Sequence, residues 1–316
     1  MFLRPVMLSA ALVLSTVASQ AETLKVAISQ RGFWDSSFID MGIKEGLFKK
    51  ENLEIEPFYT EGGATTLDAV MSGSVDIAMS NGLLGVIGRY AKGAPIRVIS
   101  AEFTGGSDAF WYARADSGIK SFKDTNGKTI GFSSNGSSTN LMVLGLIKLA
   151  GTNAKATPTG GAPATYVQVT TKQIDMGWSV PPFALQDVLD NKLVIVGRGS
   201  DIPELANQTV RVNVVTEAGL KSKRDALQRF MKVYNAAVDF AYTNPKALEY
   251  FAAENKITVD FAKKVLEFYP RAAVQTVEVK GLDQTVRDAI AFKYMAPTAT
   301  TKDLAGLIDI VAPAGK

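Results

Sequence analysis

Two segments about a hundred residues apart repeat one another. The stretch from Ala64, Thr65, Thr66, Leu67 to Val75, Asp76, Ile77, Ala78, Met79, Ser80 is echoed from Ala164, Thr165, Tyr166, Val167 to Ile174, Asp175, Met176, Gly177, Trp178, Ser179. Each predicts a short helix, a tight connection at Gly73 or Lys172, and an apolar strand that stops at a serine. A shorter echo precedes them: Lys25, Val26, Ala27, Ile28, Ser29 against Lys128, Thr129, Ile130, Gly131, Phe132, Ser133, each leading through a polar, Gly-bearing loop into a helix. Such a chain is constrained towards two α/β lobes of similar plan with a cleft between them.

Strands predicted at 24–29, 53–59, 76–80 and 96–103 alternate with helices at 38–50, 65–71 and 83–92. Alternation of this kind argues for mainly parallel sheets covered by helices, with ligands at the carboxyl ends of the strands. The aromatic stretch 108–114 carries the chain out of the first lobe. The second lobe then begins its first strand at Lys128, has a helix over 139–150 closed by Gly151, and ends with a strand at 193–197. A return strand at 209–216 and helices at 226–243 and 245–255 follow. The expected division is 22–110 for the first lobe, 111–208 for the second, and 209–316 returning to the first, with a hinge at crossovers near 108 and 210.

Residues 1–21 read as a cleavable export signal: Arg4, an apolar run over 6–17, then small residues at Ser19 and Ala21 before a cut. The run is short for a membrane span, so the expected product is free in the periplasm. Cysteine and histidine are both absent, which excludes disulfides, thiolate metal sites, a cysteine nucleophile and the commonest general base. No metal, no cofactor and no catalytic residue is expected. The formal charge is +3, with lysines and arginines interspersed among acids, so no nucleic-acid partner is expected.

The strand at 24–29, the phrase Gly42, Ile43, Lys44, Glu45, Gly46, Leu47, Phe48, the turn from Gly73 to Asp76, and Asp175, Trp178, Pro181, Pro182, Phe183 carry a resemblance. In order and spacing they resemble the periplasmic substrate-binding proteins of ABC importers in the nitrate, sulfonate, taurine and thiamine-precursor group. The resemblance implies a two-lobed periplasmic binding protein fold of type II. It also implies a monomer that closes on a small-molecule ligand and delivers it to an ABC permease in the inner membrane. Thiamine-pyrimidine synthases share the resemblance but depend on histidine and cysteine motifs that this chain lacks. Hydroxymethylbilane synthase shares the architecture but attaches its cofactor through cysteine. A periplasmic sensor for a membrane receptor fits the same residues.

The ligand-binding candidates lie in four places. Ser133, Asn135, Gly136 and Ser137 open a helix, whose free amides and dipole favour an anion; plain N-capping by Ser137 or Ser138 is the bland alternative. Gln30, Arg31, Phe33 and Trp34 follow the first strand, with Arg31 as a partner for a carboxylate or sulfonate and the two rings as flat apolar surface. Ser80 and Asn81 end a strand with hydrogen-bonding groups, and Trp178 is their counterpart in the second lobe. The expected ligand is a small organic sulfonate or carboxylate; a neutral heterocycle such as a pyrimidine or flavin is the alternative.

Overall fold

The computed structural model describes residues 21–311. The export-signal reading rests on residues 1–20, outside the described residues, and on Ala21 at their edge. In chain order the strands are β1 (Glu22–Ser29), β2 (Leu53–Thr60), β3 (Ile77–Gly82), β4 (Ile96–Thr104), β5 (Phe110–Arg114), β6 (Thr129–Phe132), β7 (Lys155–Pro158), β8 (Met176–Ser179), β9 (Leu193–Arg198) and β10 (Thr209–Thr216). The helices are α1 (Phe38–Lys44), α2 (Leu47–Lys50), α3 (Gly63–Met71), α4 (Leu83–Tyr90), α5 (Ser138–Ala150), α6 (Ala162–Thr170), α7 (Leu185–Leu189), α8 (Glu217–Thr243), α9 (Pro245–Asn255), α10 (Val259–Leu266) and α11 (Leu282–Ala291).

The strands make two five-stranded sheets, in the orders β2-β1-β3-β10-β4 and β7-β6-β8-β5-β9. Position by position, β1 answers to β6, β2 to β7, β3 to β8, β4 to β9 and β10 to β5. The sequence echo is therefore one topology used twice. Both sheets are mixed: in each, four strands run the same way and one, β10 or β5, runs against them. β1 pairs parallel with β2, Glu22 opposite Leu53, and with β3, Val26 opposite Ile77, while β10 runs antiparallel to β3 and β4. Likewise β6 is parallel to β7 and β8, and β5 is antiparallel to β8 and β9. The reason lies in the connections. A parallel return needs a long crossover, and β5 and β10 are reached through segments 105–109 and 199–208 that contain no α-helix.

Those two segments touch. Gly199 N donates to Ala109 O at 2.9 Å, and a Cβ on Gly106 would lie 2.7 Å from the Gly199 carbonyl carbon. Only residues without side chains fit this approach. Phe110 already belongs to the second sheet.

Strand interiors are buried on both faces, as covered sheets require: Val26, Ala27, Ile77, Ala78, Val212 and Val214 in the first, Trp111, Tyr112, Ile130 and Met176 in the second. The helix expected over 38–50 is broken by Gly46, in the left-handed region at φ 66°, into α1 and α2. α8 packs back on α1 through Phe38 and Tyr234, ring centroids 6.1 Å apart. Residues near the carboxyl end also return to the first sheet, where Ile308 bridges to Val98.

Candidate ligand-binding site

The carboxyl ends of β1, β3, β6 and β8 meet the starts of α3 and α5 around a cavity of about 30 Å³. That volume matches roughly one or two water molecules, so an organic ligand enters only as the two walls separate. From the first sheet come Ser29, Gln30, Phe33, Asp35, Ser80 and Arg211; from the second come Ser133, Ser137, Ser138, Thr139, Trp178 and Val180. Gln30, just after β1, and Ser80, in the carboxyl half of the adjacent β3, have φ of 56° and 59°. Non-glycine residues held there are strained, a common mark of functional positions. Gln30 also spans the cleft, its Oε1 accepting from Ala162 N at the start of α6, 3.2 Å away.

The electrostatic centre is Arg211 on β10. Its Nη2 donates to Asp108 Oδ2 at 2.7 Å and to Asp35 Oδ2 at 2.9 Å, and its guanidinium lies 4.3 Å from the centre of the Phe103 ring. All three charged residues are buried. Burial disfavours the charge on Arg211, but Asp108 and Asp35 outweigh it and raise the pKa. Burial raises Asp35 against the pull of Arg211, with Asp108 adding to the rise. Two donors at this site lack partners, Arg211 Nε and Trp178 Nε1. The start of α3 has no side-chain cap, and Gly63 in its first turn faces the cavity.

The sequence candidates divide by where the backbone carries them. Gln30, Phe33, Ser80, Ser133, Ser137 and Trp178 line the cavity together. Phe33 meets Trp178 edge to face with centroids 6.5 Å apart, one ring from each lobe. Ser137 is also the N-cap of α5, accepting from Asn140 N at 3.1 Å, so the capping reading describes its side chain.

The other candidates lie elsewhere. Arg31 turns outwards because Gln30 takes a left-handed conformation before it; it is 58% exposed, ion-paired with Glu254 and stacked 4.0 Å from the Tyr59 ring centre. Trp34 is fully buried against Phe38, Tyr242 and Phe251. Asn81 is buried with Nδ2 donating to Ala78 O at 2.8 Å. Asn81, Asn135 and Gly136 border a crevice of about 10 Å³ beside the main cavity. There Gly136 O accepts from Gly85 N at 2.9 Å, the first lobe bonded to the second.

Arg211, Asp35, Ser36, Gly63 and Val180 are among the lining residues that sequence reasoning missed. A signal for Arg211 existed: in the run Val210, Arg211, Val212, Asn213, Val214 a lone charge interrupts an otherwise buried strand. A larger hollow of about 900 Å³ lies at the far end of α4, between Tyr90, Arg97 and Tyr294. It lies at the opposite end of the first sheet, by the start of β4 and the end of β10, and among the described residues none that line it holds a buried unpaired donor.

The NMT1/THI5 like family model matches residues 35–248. No match is found among curated protein sequences. Among solved structures, the alkanesulfonate-binding protein SsuA from Xanthomonas axonopodis pv. citri, described as bound to MOPS, is 16% identical with TM-score 0.73, covering 87% of this chain and 92% of that one. The periplasmic aliphatic sulphonate binding protein SsuA from Escherichia coli is 18% identical with TM-score 0.71, covering 91% and 97%. The periplasmic nitrate-binding protein NrtA from Synechocystis is 11% identical with TM-score 0.70, covering 90% and 85%. These likenesses establish a shared periplasmic binding protein fold. With the family model matched over more than half its length, the chain belongs to the NMT1/THI5-like family.

Proposed function

We propose that the protein is the extracytoplasmic solute-binding component of an ABC import system and captures a small organic anion, a sulfonate or carboxylate with an apolar body. One observation carries the anion reading. Arg211 and Trp178, each holding a buried donor without a partner, line one cavity together with the uncapped start of α3. Free donors and helix starts favour acceptor oxygens. Asp35 and Asp108 occupy Arg211 Nη2 and so fix the plane of the fork that the ligand meets. Phe33, Trp178 and Val180 supply apolar surface for the ligand body.

In this reading residues 22–110 with 209–316, and residues 111–208, are lobes that close about segments 105–109 and 199–208. Ligand favours the closed state by its extra contacts there. The protein performs no chemistry on its ligand, acts as a monomer in the periplasm after cleavage following Ala21, and hands the ligand to an inner-membrane permease. The names of the structural neighbours support this role, and among the described residues no helix is long and apolar enough to cross a membrane.

A neutral heterocycle is the second reading, favoured by Asp108 Oδ1 and Glu102 Oε2, two buried acceptors beside Arg211 without partners. Thermal-shift and calorimetric titration with ethanesulfonate, benzenesulfonate, benzoate and uracil separates the two. Ligand at a hundred times its Kd adds about 2.7 kcal/mol of stability. Stabilisation by a sulfonate or carboxylate is the expected result; binding of uracil alone sinks the anion reading.

A further inference from the structure

We propose that Glu102 is a proton-controlled positioning residue. When protonated it donates to Ser80 Oγ and leaves the Ser80 hydroxyl hydrogen for a ligand oxygen; when ionised it takes that hydrogen back, so anion capture weakens as pH rises. This rests on the anion reading above.

The geometry leaves Ser80 one freedom. Its backbone N donates to Asn213 Oδ1 at 3.1 Å, and Asn213 Nδ2 in turn donates to Ser100 Oγ at 2.9 Å. The residue is thereby pinned at the cavity wall, and only its hydroxyl can turn. That hydroxyl contacts Glu102 Oε1. A hydroxyl has a single hydrogen. Against a carboxylate it must donate inwards and present lone pairs to the cavity. Against a carboxylic acid it accepts from the acid and points its hydrogen at the ligand.

The surroundings of Glu102 favour the acid. The side chain is buried, and its Oε2 has no partner. The neighbouring cation, Arg211, is already shared by Asp35 and Asp108 through Nη2. The charged and titratable groups facing Glu102 are Asp35, Arg211 and, from α8, Tyr234; Asp35 is itself faced by Asp108, Tyr242 and Tyr269. Three carboxyls share one guanidinium, and the cluster is short of positive charge. Burial first, then the charge of Asp35, push Glu102 up to about 8 against the pull of Arg211.

The test uses the mature protein and ethanesulfonate, whose charge is constant across the range. With Glu102 titrating at about 8, the Kd of the wild type should rise about tenfold between pH 7 and pH 9. In E102Q the amide donates to Ser80 at every pH, so the dependence flattens; S80A, lacking the hydroxyl, flattens it independently should E102Q fail the circular dichroism control. The infrared difference between wild type and E102Q should show a carboxylic-acid C=O stretch at pH 7 that falls to about a tenth of its full intensity by pH 9. A wild-type Kd that stays flat, a missing acid band, or an S80A variant that keeps the wild-type slope overturns the proposal. Where ethanesulfonate does not bind, benzenesulfonate or benzoate takes its place; if none of the three binds at any pH, the anion reading falls and this proposal with it, an outcome distinct from binding without pH dependence.

Discussion

Gly85 and Gly136 meet backbone to backbone across the cleft: the amide of one donates to the carbonyl of the other at 2.9 Å, and a Cβ on Gly136 would sit 2.6 Å from Gly85 Cα. Gly136 is held at φ 81°, so a side chain there meets both steric and conformational resistance. Beside it, Asn140 Oδ1 accepts from Gly136 N at 3.1 Å and from Tyr294 Oη at 2.7 Å. The contact is a latch between the first lobe and the loop that opens α5.

Gly85→Ala should hold this latch apart, since its Cβ would lie 2.9 Å from Gly136 O. The expected result is ligand affinity weakened by about 1–3 kcal/mol, the usual cost of overpacking. Small-angle scattering with saturating ligand should show a wider particle than the wild type. An unchanged Kd would mean the latch does not form in the bound state.

Arg211→Ala should abolish binding and also destabilise the protein. It leaves Asp35 and Asp108 buried without their cation, which costs about 3–5 kcal/mol at neutral pH. Because burial already raises Asp35, its protonation should shrink the loss on acidification. Urea unfolding at two pH values checks both parts.

Arg31→Ala should leave the Kd where it was. Its pair with Glu254 is at the surface, and such pairs contribute about 0–1 kcal/mol to stability. A marked loss of affinity in calorimetry would return Arg31 to the site.

Trp178→Phe keeps a ring against Phe33 but removes the unpaired Nε1–H. Affinity for an oxygen-bearing ligand should fall by about 0.5–1.5 kcal/mol, or by about 1.5–3 kcal/mol where the oxygen is charged. Equal affinities would show that the indole acts by surface alone.

Stability should depend on pH through Glu102. Its folded pKa is raised from 4.5 to about 8 by burial and by the charge of Asp35, so the folded state binds the proton more tightly than the unfolded chain. The stabilisation is complete below about pH 4.5 and is lost as pH rises to about 8, with a slope of at most about 1.4 kcal/mol per pH unit. Denaturant unfolding across that window should show the decline in the wild type and a shallower one in Glu102→Gln, where the raised Asp35 still contributes.

Local pattern made much of this molecule legible. Strand and helix periods located β1, β3 and α5, and the serine run and Gly151 marked both ends of α5, whose caps they form. What local pattern could not carry was direction and distant pairing. Arg31 follows the first strand directly, but the left-handed Gln30 turns it to solvent. Trp34 was readable as an aromatic near a strand end; the rings of α8 and α9 that enclose it are over two hundred positions away. Arg211 enters the cavity because β10 inserts between β3 and β4, a pairing with no trace in the residues around it.

That inserted strand has a consequence for assembly. The second sheet is complete within residues 110–198, whereas the first joins Asn81 to Val212 across 131 positions. In a chain emerging amino end first, the later lobe can therefore finish before the earlier one. Until residue 216 is available, β3 and β4 each keep an open edge that can pair with a foreign strand. The exposure of those two edges, and not the completeness of either core, sets how long the newly made protein is vulnerable to aggregation.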